Sequence, residues 1–381
     1  MNCKYDRPRI KAIYPLYRLN EMEFRIGAQL GITAEFGDPD GHLWELASRL
    51  DGRKVEEVIK EMLELFPELT KGEVLEGIQL LDNEGFLEET LDGHESGIQE
   101  RYIANVNYFS RYTGTEGNRF SFQKKINEST ILLLGLGGGG SNVLTLLSGI
   151  GVKKVIIVDY DNVEESNLGR QLLYREADIG LPKCEVAAKA ISEMNTQLIV
   201  ESHNKKIETP EDILQFTDGV DLVICAIDEP PFEAQRTVNQ AIIKANVPCV
   251  FGAHQVSRGR VFTVLPGKTG CFDCLNLHFS VNDPKFIDQF VGFRNINFSP
   301  PSIAYAPSIF QLTSAIVDEA VRVITGYAPP RSLSTQYEIN FEDGSSFTHP
   351  AWDRYTECPT CGNGRSDDWE IFEYYKTKNK A

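Results

Sequence analysis

Residues 129–159 read STILLLGLGGGGSNVLTLLSGIGVKKVIIVD. An apolar run from Ile131 to Leu134 meets a cluster of glycines, a helix-spaced segment follows, and a second apolar run from Val155 to Val158 ends on an acid. Strand, glycine turn, helix and strand in that order form a βαβ unit of a parallel sheet, whose strands are apolar throughout because helices cover both faces. Gly135, Gly137 and Gly140 give G-x-G-x-x-G, with Gly138 inside it, and Asp159 closes the second strand. Glycines there let the backbone turn tightly and approach a phosphate, whose charge is met by amides at the helix N-terminus; the acid accepts hydrogen bonds from ribose hydroxyls. A nicotinamide-dependent dehydrogenase and an ATP-using enzyme fit this turn equally well.

Residues 159–183, DYDNVEESNLGRQLLYREADIGLPK, separate the two. They carry Asp161, Asn167, Arg170, Gln171 and Lys183. Hydride transfer does not call for Arg and Lys at one crevice, whereas a triphosphate brings several negative charges that need them. Leu222 to Ile227 (LVICAI) reads as another buried strand, and Asp228 follows it at the carboxyl end of the sheet, where ligands sit in such folds and where a carboxylate suits magnesium. Arg170, Lys183 and Asp228 are thus the candidate catalytic groups, with ATP and Mg2+ as the ligands. Phe232 to Lys244 is a helix ahead of a strand at Pro248 to Phe251, and the sheet continues as a mixed one through Arg260 to Leu265. The fold class is α/β, a doubly wound Rossmann-like domain.

At 381 residues and ~150 residues per domain the chain has room for two or three domains. Lys and Arg total 38 against 55 Asp and Glu, a formal charge of -17, which argues against a nucleic-acid partner because a phosphate-backbone binder needs a basic face. No uninterrupted apolar run spans a bilayer, and charge is scattered through MNCKYDRPRIKAIYPLYR where a secretory signal is apolar, so no membrane is expected and the cytoplasm is the expected location. In that compartment cysteine pairs read as metal ligands before disulfides. Cys271 and Cys274 (TGCFDCLN) with Cys358 and Cys361 (ECPTCGNG) form two C-x-x-C knuckles, four thiolates that fill a tetrahedral zinc and leave no vacancy for water, so the metal is structural. Cys225 and Cys249 sit in apolar strands, Cys3 lies in the terminus, and Cys184 has no base beside it. His254 and His278 are read as structural.

Ahead of the glycine turn the period changes. Arg9 to about Gly37 alternates as short strands through Ile10, Ala12, Tyr14 and Met22, Phe24, Ile26; His42–Leu50, Lys54–Phe66 and Lys71–Leu81 carry apolar residues at helical spacing, with Thr70 and Glu73 as a capping box. This gives residues 1–95 as a small winged-helix-like α+β domain, 96–128 as a linker and arm, 129–362 as the nucleotide domain with its knuckles, and 363–381 as a peripheral tail.

GLGGGGS, DYDNVEESNLGRQ, GLPK and CAID, at their mutual spacing, resemble the ThiF/MoeB/HesA family, the adenylating fold shared with ubiquitin-activating enzymes. The resemblance covers roughly residues 100–362 and implies that Asp159 binds the ribose, that Asn167, Arg170 and Lys183 surround the phosphates with Gln171 beside them, that Asp228 carries magnesium, that the four cysteines hold zinc, and that the protein is a homodimer. The family's arm reads R-Y-x-R-Q, its second arginine reaching the partner's ATP; here the arm reads RYIAN and Ala104 stands at that place, leaving Arg101 or Arg111 as substitutes. Residues 275–320 contain no cysteine, which argues against a thioester of the ubiquitin-activating kind.

The front order of strands then helices resembles the PqqD-like leader-recognition domain, and the whole layout resembles MccB-type and pantocin-maturation-type enzymes that modify ribosomally made peptides. That resemblance implies adenylation of a carboxylate on a precursor peptide, leading to condensation, cyclisation or nucleotide attachment in peptide natural product biosynthesis. A sulfur-carrier-protein adenylyltransferase and a non-catalytic nucleotide-dependent peptide-binding protein are the alternatives.

Overall fold

The computed structural model describes residues 4–90, 97–230, 232–283, 285–296 and 302–372. The chain divides into two compact units, Met1–Lys125 and Ile126–Ala381.

The first unit begins with β1 (Pro8–Ile10), β2 (Leu16–Asn20), β3 (Glu23–Ile26) and β4 (Ala34–Gly37). Helices α1 (His42–Arg49), α2 (Val55–Leu65) and α3 (Lys71–Asn83) follow, then β5 (Leu87–Glu89), α4 (Ile103–Ser110) and α5 (Arg119–Glu128), the last of which crosses the boundary between units. The three helices fall where the periodicity puts them, and α3 starts with the Thr70–Glu73 capping box, each residue bonding the other's backbone amide. The short strands expected over Arg9 to about Gly37 do not form one sheet. β2, β3 and β4 form one antiparallel sheet, while β1 leaves it to pair with β5, beyond the helices. Ile10, Ala12 and Tyr14 alternate like a strand, but the chain turns at Lys11, whose carbonyl accepts from the Tyr14 amide at 3.0 Å. Phe24 and Ile26 are fully buried against Leu46, Val58, Met62 and Ile78, whereas Met22 lies in the β2–β3 turn and is exposed.

Residues 96–128, expected as a linker and arm, contain two helices. Up to Lys125 they belong to the first unit. The buried Glu88 carboxylate accepts from Ser110 Oγ of α4 at 2.9 Å and lies 3.6 Å from the Arg119 guanidinium of α5, and Thr115 Oγ1 donates to Asp82 at 3.0 Å.

The second unit runs β6 (Thr130–Leu134), α6 (Gly138–Ile150), β7 (Lys154–Asp159), α7 (Lys183–Met194), β8 (Ile199–Asn204), α8 (Glu211–Leu214), β9 (Leu222–Cys225), α9 (Glu233–Ala245), β10 (Cys249–His254), β11 (Arg258–Val264), α10 (Phe272–Asn282), α11 (Lys285–Ile296), α12 (Ala306–Thr325), β12 (Tyr337–Asn340) and β13 (Ser346–Thr348). Its sheet has the order β13-β12-β11-β10-β9-β6-β7-β8. The strands from β10 to β8 are parallel, and β11, β12 and β13 continue antiparallel, which is the mixed α/β sheet expected from the sequence. Alternate residues of each central strand point to opposite helical layers: Phe251 joins Val238, Phe262 and Phe272 in one core, while a side chain at Gly252 would meet Ile316 of α12 on the other face. Both faces are covered, so the strands carry no polar alternation.

The segment after Gly364 is not peripheral as far as it is described. Ile371 and Phe372 are buried in the same core, and the Arg236 guanidinium lies 4.3 Å from the centre of the Phe372 ring. No helix among the described residues is long and apolar enough to cross a membrane.

Candidate functional site

The glycine turn sits at the carboxyl end of β6, where the order of connections reverses between β9 and β7, the place at which doubly wound sheets open a crevice. Each glycine has its own reason. Gly135 has φ +92°, and a Cβ there would lie 2.8 Å from the Ala226 carbonyl. A Cβ on Gly140 would lie 1.8 Å from the Gly135 carbonyl, so α6 packs on β6 at a distance only glycine permits. Gly137 caps α6, and a Cβ on it would meet nothing within 4 Å: its face is open.

Asp159 is tied to this turn. Its Oδ2 accepts from the Leu136 amide at 2.5 Å and its Oδ1 from the Asp161 amide at 2.7 Å. Burial raises its pKa, and the two amides work against that rise. Lys183 opens α7 with its side chain only 6% exposed, and its ammonium lies 2.9 Å from the Asp161 carboxylate. Burying an ammonium is costly without a partner, so Asp161 holds Lys183 ready beside the turn.

Arg170 lies along Gly138, its Nε 3.6 Å from where a Cβ on that glycine would stand, and donates to the Ser166 carbonyl at 2.8 Å. Asn167 is buried, and its Oδ1 accepts from the Glu164 amide at 3.1 Å. Gln171 is 2% exposed, and its Oε1 has no partner among the described residues.

Two residues that hold this arrangement went unnoticed in the sequence. Asn142, on the buried side of α6, donates to both the Gly138 carbonyl at 2.9 Å and the Arg170 carbonyl at 3.2 Å, joining the glycine turn to the arginine segment. Tyr174 donates from its hydroxyl to the Leu136 carbonyl at 2.9 Å. Burial pushes its phenol above the ordinary range, so it stays a donor.

Asp228 follows β9, three residues past Cys225, which pairs with Leu134 at the end of β6. It is exposed to solvent; protein atoms packed around its carboxyl, and then the Glu229 charge, raise its pKa. The turn, Asp159, Asp161, Arg170, Lys183 and Asp228 are thus gathered at one edge of the sheet. Cys184, beside Lys183, donates its thiol to the Asp159 and His203 carbonyls at 3.1 Å and is pushed up to about 12 by burial, which removes it as a nucleophile. Cys3 lies outside the described residues.

Cys271, Cys274, Cys358 and Cys361 converge, all buried, with their sulfurs within 4.8 Å of one another. Cys271 Sγ lies 3.9 Å from Cys274 Sγ and 3.6 Å from Cys358 Sγ, and Cys274 Sγ lies 3.4 Å from Cys361 Sγ. A tetrahedral ion with Zn–S bonds of about 2.3 Å places its sulfurs about 3.8 Å apart, so the cluster fits such a metal. The surroundings are built for thiolates: Asn239 donates from Nδ2 to Cys271 Sγ at 3.5 Å and the Tyr355 amide to Cys274 Sγ at 3.4 Å. Asn239 Oδ1 also accepts from the Phe272 amide at 3.0 Å, and the buried Asp273 carboxylate joins Thr360 of the second knuckle to Arg236 of α9. Asn239→Leu is therefore expected to raise metal dissociation on the order of tenfold or more, as the loss of outer partners does elsewhere. Metal release to a colorimetric chelator measures this, and a rate equal to the parent's would remove Asn239 from the site.

In the arm, Arg101 lies exposed in a single 3-10 turn, Ala104 in the first turn of α4, and Arg111 just beyond α4, its guanidinium 5.8 Å from the centre of the Tyr112 ring.

The chain belongs to the ThiF family, whose pattern it matches over residues 104–360. It is 31% identical over 269 residues to the sulfur carrier protein adenylyltransferase of Thermus thermophilus, covering 66% of this chain and 90% of that protein. It is 33% identical over 150 residues to SUMO-activating enzyme subunit 2 of Dictyostelium discoideum, of which it spans 22% and which covers 39% of this chain. Among solved structures, E. coli MccB crystallised with AMPCPP and MccA has the same fold, with a TM-score of 0.75 at 20% identity over 93% of this chain and 100% of that one.

Proposed function

We propose that this protein uses ATP and magnesium to adenylate a carboxylate of a ribosomally made precursor peptide, which residues 1–95 recognise. The observation that carries the chemistry is the gathering of an open glycine turn, Arg170, a buried Lys183 and Asp228 at one sheet edge. A carboxylate condenses poorly with nitrogen because its oxygen leaves poorly. Attack of that oxygen on the α-phosphorus of ATP releases pyrophosphate and leaves a mixed anhydride with a good leaving group.

For this step the chain has to align the two oxygens and neutralise the departing charge. Backbone amides of the turn face the phosphates, Asp159 the ribose, and Arg170 and Lys183 the charge on the leaving group, with Asn167 and Gln171 alongside. Rotating the Gln171 amide presents its Nε2, the donor an anion needs, at the position of the orphan oxygen. Asp228 would hold magnesium, which supplies further positive charge there. The four cysteines would hold zinc in a structural role.

The fold of MccB, crystallised with MccA, extends over 93% of this chain and so takes in the front unit. A front unit with a counterpart there supports a peptide over a sulfur carrier as the substrate. ATP–pyrophosphate exchange is the test: synthetic peptides are expected to drive exchange, and exchange driven only by a sulfur carrier protein would reverse the assignment.

We further take the protein to act as a homodimer, with the 101–112 arm at the partner's nucleotide and Arg101 or Arg111 in place of the arginine missing at Ala104. Light scattering at micromolar concentration is expected to return twice the chain mass; a monomer would remove the arm from the mechanism.

A further inference from the structure

We infer that His254 is the proton acceptor for the nitrogen nucleophile that attacks the activated carboxylate, an inference that rests on the adenylation reading above. β10 runs parallel to β9 with Phe251 opposite Cys225. β9 ends at Cys225 while β10 continues to His254, so Asp228 and His254 each lie three residues past the last paired positions, at the carboxyl ends of neighbouring strands.

The state of the ring follows from its partners. His254 Nε2 lies 2.8 Å from Ser308 Oγ, and that hydroxyl donates its only proton to the Tyr305 carbonyl at 2.8 Å. With the hydroxyl proton placed on the Tyr305 carbonyl, Ser308 accepts from His254, which puts the imidazole proton on Nε2 and leaves a lone pair on Nδ1, the arrangement that the proposal requires. Nδ1 has no partner among the described residues. The ring is held flat against Phe341, centroids 5.0 Å apart and planes 22° apart. Gly259, opposite His254 on β11, makes room for this, since a Cβ there would lie 2.8 Å from Phe341 Cζ. Burial lowers the pKa of His254, no charged group adds to that shift, and the adjoining N-terminus of α12 likewise disfavours an imidazolium. Both effects favour the uncharged ring.

Adenylation itself needs no base, but the step after it does. The nitrogen lone pair forms a bond to the acyl carbon, the bond from that carbon to the AMP oxygen breaks with its electrons leaving on AMP, and one N–H proton must depart. Other groups at this edge have assigned roles: Asp159 accepts two backbone amides and is assigned to the ribose, Asp161 is paired with Lys183, and Asp228 is assigned to magnesium. His203 is paired with Glu201 at 2.7 Å. Of the two histidines described at the carboxyl ends of these strands, His254 is the one without a carboxylate partner.

His254→Gln keeps an N–H for Ser308 and removes the basic nitrogen. With a synthetic peptide that drives ATP–pyrophosphate exchange in the parent, exchange is expected to continue in the variant. Capture of the adenylate by hydroxylamine should also continue, while formation of the nitrogen-joined product falls on the order of 100-fold. Imidazole added to His254→Gly is expected to restore part of that product formation. Should the substituted proteins lose their thermal transition, 15N NMR of the parent still decides: an unprotonated Nδ1 at neutral pH is required, and a protonated one overturns the inference. Product formation undiminished alongside exchange, or exchange and product falling together, also overturns it. If no peptide drives exchange in the parent, the adenylation reading fails and takes this inference with it.

Discussion

Gly140→Ala is expected to remove ATP binding and to destabilise the second unit together. The added methyl would stand 1.8 Å from the Gly135 carbonyl, a backbone atom that cannot rotate away. Relief requires α6 to move off β6, which opens the layer containing Val143, Leu144 and Leu147, all fully buried. Overpacking of this kind costs about 3 kcal/mol, a fall in melting temperature of roughly 10 °C for a unit of this size. Gly137→Ala is the matched control. Its methyl meets no protein atom within 4 Å, so the fold should melt as the parent does, yet it stands on the open face that the phosphates approach. Calorimetry with ATP should then show affinity lost without stability in Gly137→Ala, and both lost in Gly140→Ala. Equal melting temperatures for Gly140→Ala and the parent would mean that α6 and β6 do not pack as described.

What could be read from the sequence was what nearby residues determine. The βαβ unit, the glycine turn with its acid, the helices of the front unit and each cysteine knuckle depend on spacings of a few residues, and each stands where the spacing puts it. The groups that bind these pieces together depend on contacts between distant positions. Asn142 reaches Arg170 across 28 residues, Asn239 reaches Cys271 across 32, and Tyr174 reaches Leu136 across 38. Nothing local marks a buried Asn on an otherwise apolar helix as a tie between two loops. The same distance effect explains β1, which alternates like its neighbours but pairs with β5 after three helices have intervened. It also explains the end of the chain: Ile371 and Phe372 sit in a charged, aromatic stretch, and only the core shaped by α9 and the knuckles gives them a place. His254 belongs with these, because its partner Ser308 lies 54 residues away.

Asp228→Asn is expected to abolish magnesium-dependent pyrophosphate release, by on the order of 1,000-fold, while leaving peptide affinity unchanged. The substitution keeps the volume and the exposed position of the side chain, so neither fold nor crevice shape should respond. It removes the negative charge that would hold magnesium where the leaving group develops charge. Lys183→Met should act on the same step by another route. The ammonium is 6% exposed and lies 2.9 Å from Asp161, whose own side chain is 48% exposed. Losing the lysine therefore leaves a carboxylate that water can solvate, and stability should change little even though turnover falls. Asp161→Asn would leave the ammonium in place with a weaker partner, and a smaller loss of turnover is expected from it than from Lys183→Met. In the proposed function the front unit binds the peptide and the crevice neutralises the charge. Peptide binding measured by calorimetry should accordingly be the same for all three variants as for the parent, with pyrophosphate release separating them. Parallel losses of peptide affinity and pyrophosphate release in Asp228→Asn would show that recognition and activation share one site, and would end the proposed division of labour between the two units.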